Sequence, residues 1–148
     1  MSRLREQVLE FHQKLGVVGD LSRPGEQAPD IKRLRAHLVT EEFFEFLTAL
    51  GMPATDAQRD IIRHTIDHVE MGSTDLPALA DALADIDYVV EGTRIAFGID
   101  GDPIAEEVHR ANMTKLGGPR REDGKILKPD GWEPPDIEEC LYEQGWLS

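Results

Sequence analysis

The sequence contains a single cysteine, Cys140, among its 148 residues. One thiol excludes an internal disulfide and a cysteine-rich zinc site, and it is consistent with a reducing compartment. Long apolar runs are also missing. No stretch approaches the roughly 20 apolar residues that span a bilayer, and the N-terminus lacks an apolar segment of signal-peptide length. We therefore expect a soluble, cytoplasmic protein that does not bind membranes.

Positive charge is scarce as well, with 16 basic residues against 29 acidic ones and a formal net charge of -13. Such a charge disfavours proteins that bind DNA or anionic membranes through their overall field. A polyanionic ligand must therefore meet a local cationic patch or a metal ion. The GxxxxGK[ST] phosphate loop and the GxSxG elbow are both absent, which sets those enzyme classes aside.

Period-two alternation of apolar residues is not sustained anywhere, so β-strands are not expected. Helical spacing predicts five helices instead, with Asp30 as N-cap of the second and Asp102 before Pro103 at the start of the fifth. The fold class is therefore all-α. We expect one domain, a four- to five-helix bundle whose core covers about residues 30 to 117. Residues 118 to 148 are predicted to form an extended tail with a short helix near 136 to 144.

Two of the predicted helices carry acids on sides that are otherwise apolar or lined by small residues. Glu41, Glu42 and Glu45 of the EEFFE stretch interrupt the apolar stripe of the second helix. Asp81 and Asp85 lie one turn apart on the fourth. Burying unpaired carboxylates is costly, and hard divalent cations such as Mg2+ or Mn2+ prefer oxygen ligands. A metal site is therefore one interpretation, and two solvated acidic faces are the alternative.

The combination of EEFFE, the acidic pair ending at Asp85, YVVEGTRIAFGID and HRANMTK resembles the MazG-like nucleotide pyrophosphohydrolases over about residues 30 to 130. This all-α superfamily also includes dimeric dUTPases and phosphoribosyl-ATP pyrophosphohydrolase. The resemblance implies that EExxE and a later ExxD bind the Mg2+ ions that hold a triphosphate. Direct matches are Glu41, Glu42, Glu45 and Asp85. Ala82 stands at the first acid of ExxD, and Asp81 is its nearest substitute.

The same resemblance implies hydrolysis between the α and β phosphates, which gives a nucleoside monophosphate and pyrophosphate. Mg2+ is the expected cofactor, with Mn2+ as a substitute. Glu41 or Glu42 is the candidate general base, and the sequence does not decide between them. Because several helices carry apolar residues on two sides, we also expect a homodimer or homotetramer, as the family likeness implies.

A cationic complement follows the fourth helix, where six of the 16 basic residues fall between positions 110 and 128. Asn112 and Lys115 in HRANMTK resemble the Asn-x-x-Lys element that lies near the nucleotide phosphates in the family. The predicted substrate-binding residues are Arg110, Asn112, Lys115, Lys125 and Lys128. For Lys125 and Lys128, phosphate contact and a solvated role both stay open.

Three hypotheses about function follow from these patterns. The first is a Mg2+-dependent nucleoside triphosphate pyrophosphohydrolase that removes a nucleotide such as dUTP or a non-standard nucleotide from the pool. The second is phosphoribosyl-ATP pyrophosphohydrolase of histidine biosynthesis. The third is a catalytically silent nucleotide-binding or regulatory module, for which Ala82 would mark an incomplete metal site.

Overall fold

Six α-helices make up the regular structure of this computed structural model, which describes residues 2–19 and 21–147. They are α1 (Arg3–Leu15), α2 (Pro29–Ala49), α3 (Asp56–His68), α4 (Leu76–Phe97), α5 (Gly101–Met113) and α6 (Ile137–Glu143). The described residues contain no strand, only an isolated antiparallel bridge between Arg120 and Ile126. The all-α fold class and the short helix in the tail are therefore confirmed. Within the described chain, every helix is too short or too polar to pass through a bilayer.

Local capping explains why several helices begin where the sequence predicts. The Ser2 side chain accepts a hydrogen bond from the Arg5 N–H at the start of α1, and Gly16 ends that helix with a φ of 69°. At α3, Thr55 and Gln58 form a capping box in which each side chain binds the backbone N–H of the other residue. These contacts satisfy backbone donors and acceptors that a helix end leaves without intrahelical partners.

Two predicted helix starts are each wrong by two residues. The second helix begins at Pro29, so its N-cap is Ala28 and Asp30 lies in the first turn. The fifth begins at Gly101, because the side chain of Asp100 accepts a hydrogen bond from the Asp102 N–H at 3.0 Å. Pro103 is therefore the third helical residue, where a missing N–H still costs no intrahelical hydrogen bond.

The chain separates into two compact units. Unit 2 consists of Gly25–Leu76 and Glu122–Lys125 and contains α2 and α3. The pairing of these helices includes a 2.8 Å hydrogen bond from Arg33 Nη1 to the Ile66 carbonyl oxygen. His37 Nε2 lies 2.7 Å from Asp67 Oδ1, and this contact lowers the pKa of the Asp67 carboxyl.

Unit 1 consists of Met1–Pro24, Pro77–Arg121 and Ile126–Ser148. In this unit α1 pairs with α5, through Arg3 and Glu106 at 2.5 Å and through His109 and Glu10 at 3.4 Å. The tail helix α6 is tied to α5 near both of its ends. The Asp136 N–H donates to Glu107 Oε1 at 2.9 Å, and the Gln144 side-chain amide exchanges two hydrogen bonds with the backbone of Asp100.

Burial in the described chain is low, since Ala111 on α5 is the one residue there that is fully buried. Several aliphatic side chains of α4 are strongly exposed, with exposed fractions that include 42% for Val90 and 74% for Ile95. A helix that is apolar on several sides is normally covered by other helices. The single chain therefore leaves apolar side chains of α4 uncovered.

Candidate functional site

A cleft of about 140 Å³ opens between α2 and α3 within unit 2. Seven side chains line it: His37, Thr40, Glu41, Phe44 and Glu45 from α2, and Arg59 and Arg63 from α3. One side of the cleft therefore carries carboxylates and the other carries guanidinium groups. This combination suits a ligand that contains both a cation and anionic groups.

Only two of the three EEFFE acids face this cleft. Glu41 and Glu45 are four residues apart, so they lie one turn from each other on the same face of α2. Glu42 is about 100° further round the helix axis and is exposed. Glu41 is half-buried, whereas Glu45 is exposed. The prediction that all three acids share one buried side is therefore wrong for Glu42 and Glu45 in the single chain.

The two arginines of the cleft were missed by the sequence analysis. Arg59 lies with its guanidinium 4.9 Å from the centroid of the Phe44 ring and donates to Thr48 Oγ1 at 3.1 Å. Arg63 is more exposed, and its contact with Asp60 is long at 3.3 Å. Their i,i+4 spacing on α3 shows that they share a face, but the sequence does not show which helix that face opposes.

Lys125 reaches the same cleft region from a turn of unit 2, Glu122–Lys125. Its Nζ pairs with Glu41 Oε2. The sequence favoured neither phosphate contact nor simple solvation for this lysine, and in the structure its partner is a carboxylate instead. Glu41 is thus paired with a cationic side chain.

Asp81 and Asp85 lie one turn apart on α4 in unit 1, and both are exposed. Ala82, at the position of the first family acid, follows Asp81 directly. The EEFFE acids belong to unit 2. Across residues 2–19 and 21–147, no three His, Cys, Asp or Glu side chains are gathered closely enough to hold a metal ion.

A second group of cationic side chains surrounds Trp132 in unit 1. The Nζ of Lys128 lies 4.3 Å from the ring centroid of Trp132, and the Nζ of Lys115 lies 5.2 Å from it. Lys115 also donates to Asn112 Oδ1 at 2.7 Å. The indole Nε1–H donates to the carbonyl oxygen of the buried Ala111 at 3.0 Å, which fixes the ring against α5. Three of the predicted substrate-binding residues, Asn112, Lys115 and Lys128, are therefore brought together.

Arg110, a fourth predicted substrate-binding residue, is bound by protein groups in this structure. It makes two hydrogen bonds to the Glu107 carboxylate, at 2.6 and 2.8 Å, and a longer one to the Pro134 carbonyl oxygen at 3.3 Å. The Arg110 hydrogen bonds, together with the Asp136 N–H, lower the pKa of Glu107 to about 2. Glu107 in turn raises the pKa of Arg110. These contacts connect α5 to the segment that precedes α6.

The carboxylates of the cleft have the donor chemistry that a hard divalent cation requires. Mg2+ is usually held by one or two carboxylates and completed by water and substrate phosphates, so three gathered protein ligands are not necessary. The ammonium of Lys125 stands in for such a cation, because it places a positive charge on Glu41 Oε2. The residues present therefore fit Mg2+ or Mn2+, and the ligand set stays a prediction.

An all-α fold, an EExxE motif on α2 and an Asn-x-x-Lys motif that begins on α5 and ends just after it are the features that resemble the all-α nucleotide pyrophosphohydrolases. The sequence pattern of the phosphoribosyl-ATP pyrophosphohydrolase family matches residues 10–112, and the chain belongs to that family. It is therefore a pyrophosphohydrolase. The resemblance to the MazG-like superfamily is confirmed by this match.

A solved structure is also similar to this chain. A crystal structure from Exiguobacterium sp. 255-15, provisionally assigned as an NTP pyrophosphohydrolase, is 27% identical to this chain. The match covers 97% of this chain and 96% of that one, with a TM-score of 0.67. A comparison with curated proteins finds no match.

Proposed function

We propose that this pyrophosphohydrolase acts on nucleoside triphosphates in a Mg2+-dependent reaction, giving a nucleoside monophosphate and pyrophosphate. Its substrate is proposed to be dUTP or a non-standard nucleotide, so that the enzyme removes an unwanted member of the nucleotide pool. The observation that carries the proposal is the cleft in which Glu41 and Glu45 face Arg59 and Arg63. Family membership and the relative from Exiguobacterium support the reaction class.

Each group of residues has a proposed role that follows from its own chemistry. Glu41, Glu42, Glu45, Asp85 and Asp81 are the proposed ligands of Mg2+, or of Mn2+ in its place. When bound, the metal would neutralise phosphate charge and activate water. Glu41 or Glu42 is the proposed general base, which would orient that water and accept its proton.

The cationic residues are proposed to bind and orient the phosphates. Lys115 and Lys128 place ammonium groups 5.2 and 4.3 Å from the ring centroid of Trp132, and Asn112 offers an amide to a sugar hydroxyl or base edge. In the cleft, Arg63 offers a guanidinium that is 60% exposed and so accessible to an anion. Bidentate donors of this kind suit phosphate oxygens. Lys125 and Arg110 complete the proposed set of substrate-binding residues.

A homodimer or homotetramer is part of the proposal. The exposed apolar residues of α4 support it, because a large uncovered apolar surface is typical of an interface. Replacing Ile86 on α4 by Asp should lower the oligomer mass measured by light scattering, whereas Glu70→Gln in a loop should not. A monomeric unchanged protein at micromolar concentration would contradict this part. A cytoplasmic location also stays a prediction of the sequence.

The second candidate is phosphoribosyl-ATP pyrophosphohydrolase, which the description of the matching family favours. Pyrophosphate release from canonical and modified nucleoside triphosphates and from phosphoribosyl-ATP, with Mg2+ or Mn2+, separates the two candidates. Glu41→Gln and Asp85→Asn should abolish turnover, and Glu10→Gln, a carboxylate on α1 that does not line the cleft, should retain it. Turnover of phosphoribosyl-ATP alone would replace the first candidate by the second. No release from any substrate would favour the silent binding module.

A further inference from the structure

The ion pair between Lys125 and Glu41 joins residues 84 positions apart in the sequence. Both side chains are largely covered, with exposed fractions of 30% for Lys125 and 25% for Glu41. Glu41 is at the same time a lining residue of the α2–α3 cleft and a proposed metal ligand. A cationic side chain therefore occupies an oxygen atom that a metal ion would use.

The turn that carries Lys125 is built to point its side chain at this carboxylate. Gly124 has a φ of +94°, a left-handed conformation that favours glycine, and the Asp123 side chain accepts the Lys125 N–H at 3.2 Å. A Cβ at Gly124 would lie 3.9 Å from Leu34 Cδ2, so the turn is in contact with α2 there. Leu34 and Glu41 are seven residues apart, about two helical turns, and so lie on one face of α2.

From this geometry we infer that Lys125 is the resident counter-ion of Glu41 in the metal-free protein, and that a divalent cation must displace it to bind. This inference rests on the proposed function, because it takes Glu41 as a metal ligand. A cation coordinated at Glu41 Oε2 would stand about 2 Å from that oxygen and roughly 4 Å from the ammonium. At that distance the ammonium and the metal ion repel each other in a partly covered site, so the two compete for the oxygen.

The displaced ammonium has a natural new partner in the substrate. Lysine carries a compact charge on a flexible four-carbon stem, so Lys125 can turn from Glu41 to a phosphate oxygen while its backbone stays in the turn. The phosphate then takes over the role of Glu41 as counter-ion. Metal and substrate should therefore bind with positive coupling. The metal releases the Lys125 ammonium for the phosphate, and the phosphate keeps that ammonium away from the metal at Glu41.

The exchange of Lys125 for a divalent cation at Glu41 predicts effects on metal binding that a lysine with a purely structural role would not have. Lys125→Met should bind Mn2+ more tightly than the unchanged protein in the absence of nucleotide, by about five-fold, which corresponds to about 1 kcal/mol for a lost ion pair. Lys125→Arg keeps the charge and should bind Mn2+ about as weakly as the unchanged protein. The coupling between Mn2+ and a non-hydrolysable nucleotide should shrink in Lys125→Met.

Mn2+ binding to the full chain, measured by electron paramagnetic resonance, provides the test, with pyrophosphate release measured on the same preparations. Arg63→Met is the matched control, since it removes a positive charge from the cleft at a residue that pairs with Asp60. A five-fold tightening in Lys125→Met and a clearly smaller one in Arg63→Met would support the exchange. Equal tightening in both variants would overturn it, because the effect would then be the general field of the cleft.

Unchanged or weaker Mn2+ binding in Lys125→Met would also overturn the exchange, and the proposed function would stand as long as the unchanged protein binds Mn2+ and releases pyrophosphate. If the unchanged protein does neither, the proposed function itself fails. A second measurement follows the amine directly. Mn2+ should increase acylation of Lys125, read by mass spectrometry, relative to Lys14, whose pair with Glu10 on α1 provides an internal reference. No increase would count against displacement.

Discussion

Gly118 lies where the chain after α5 comes into contact with the segment that carries Lys128 and Trp132. A Cβ at this position would lie 2.5 Å from the Leu127 carbonyl oxygen and 3.0 Å from the Lys115 carbonyl oxygen. Carbon and oxygen normally approach no closer than about 3.3 Å. Gly118→Ala therefore requires the Leu127 backbone to move by roughly 1 Å, since a carbonyl group cannot rotate away as a flexible side chain would.

The magnitude follows from three contributions. Overpacking of this kind costs about 1 to 3 kcal/mol. The hydrogen bond from the Leu127 N–H to the Pro119 carbonyl oxygen, 2.7 Å long, would be stretched or lost, at a cost of about 1 kcal/mol. Alanine returns about 0.4 to 1 kcal/mol by restricting the unfolded chain. We expect a net loss of about 2 kcal/mol, which lowers the melting temperature of a chain of this size by roughly 4 to 8 °C.

Thermal unfolding followed by circular dichroism measures this loss, with Gly72→Ala as the control because nothing lies within 4 Å of a Cβ there. The same change moves Leu127 and Pro129, so it should also separate Lys128 and Trp132 from Lys115 and raise the KM for the nucleotide. A Gly118→Ala protein that melts within about 1 °C of the unchanged protein would refute the reasoning about close contact. If the protein is destabilised but its KM is normal, only the predicted effect on Lys115, Lys128 and Trp132 would be refuted.

Three further expectations concern charge. The hydrogen bonds of Glu107 lower its pKa from 4.5 to about 2, so the stability that they contribute is present above pH 4.5 and is lost as the pH falls towards 2. In Glu107→Gln, the free energy of unfolding measured in urea should therefore depend less on pH between 4.5 and 2. An unchanged pH dependence would contradict this. Arg59→Met should lower stability by about 1 kcal/mol in the same assay, through its lost contacts with Phe44 and Thr48; no loss would contradict the packing role. Arg63→Met should leave stability almost unchanged but raise KM several-fold, and unchanged KM would exclude Arg63 from substrate binding.

The sequence predicts the helices well because their signals are local. Ser2 and Gly16 bound α1, and the acidic start of α3 follows Thr55, so both helices begin where the pattern indicates. The two errors, at Asp30 and Pro103, arise because proline is tolerated throughout the first turn and so does not fix the first helical residue. Helix bounds thus depend on contacts within about four residues, which the sequence displays directly.

The candidate site is less predictable, because its contacts join residues that are distant in the sequence. The pairing of Lys125 with Glu41 depends on a turn that packs against Leu34, and no periodicity connects positions 84 apart. The arginines of α3 face the acids of α2 only because of how the two helices pack. By contrast, Arg110 and Glu107 are three residues apart on one helix, so their ion pair could have been predicted from the sequence. Arg110 was instead predicted to bind phosphate. The metal ligands themselves stay predictions.

The attachment of α6 to α5 near both of its ends makes the tail tolerant of a single substitution in those contacts. Glu107 holds the residue before the helix, and Asp100 holds Gln144 after it. Two tethers on one short rigid segment act as a chelate, because the loss of one leaves the other group at high effective concentration. Either contact can therefore be lost with little release of the tail. Removing both contacts should lower the free energy of unfolding by much more than the sum of the two single losses. The tail should therefore detach from α5 as a whole or not at all.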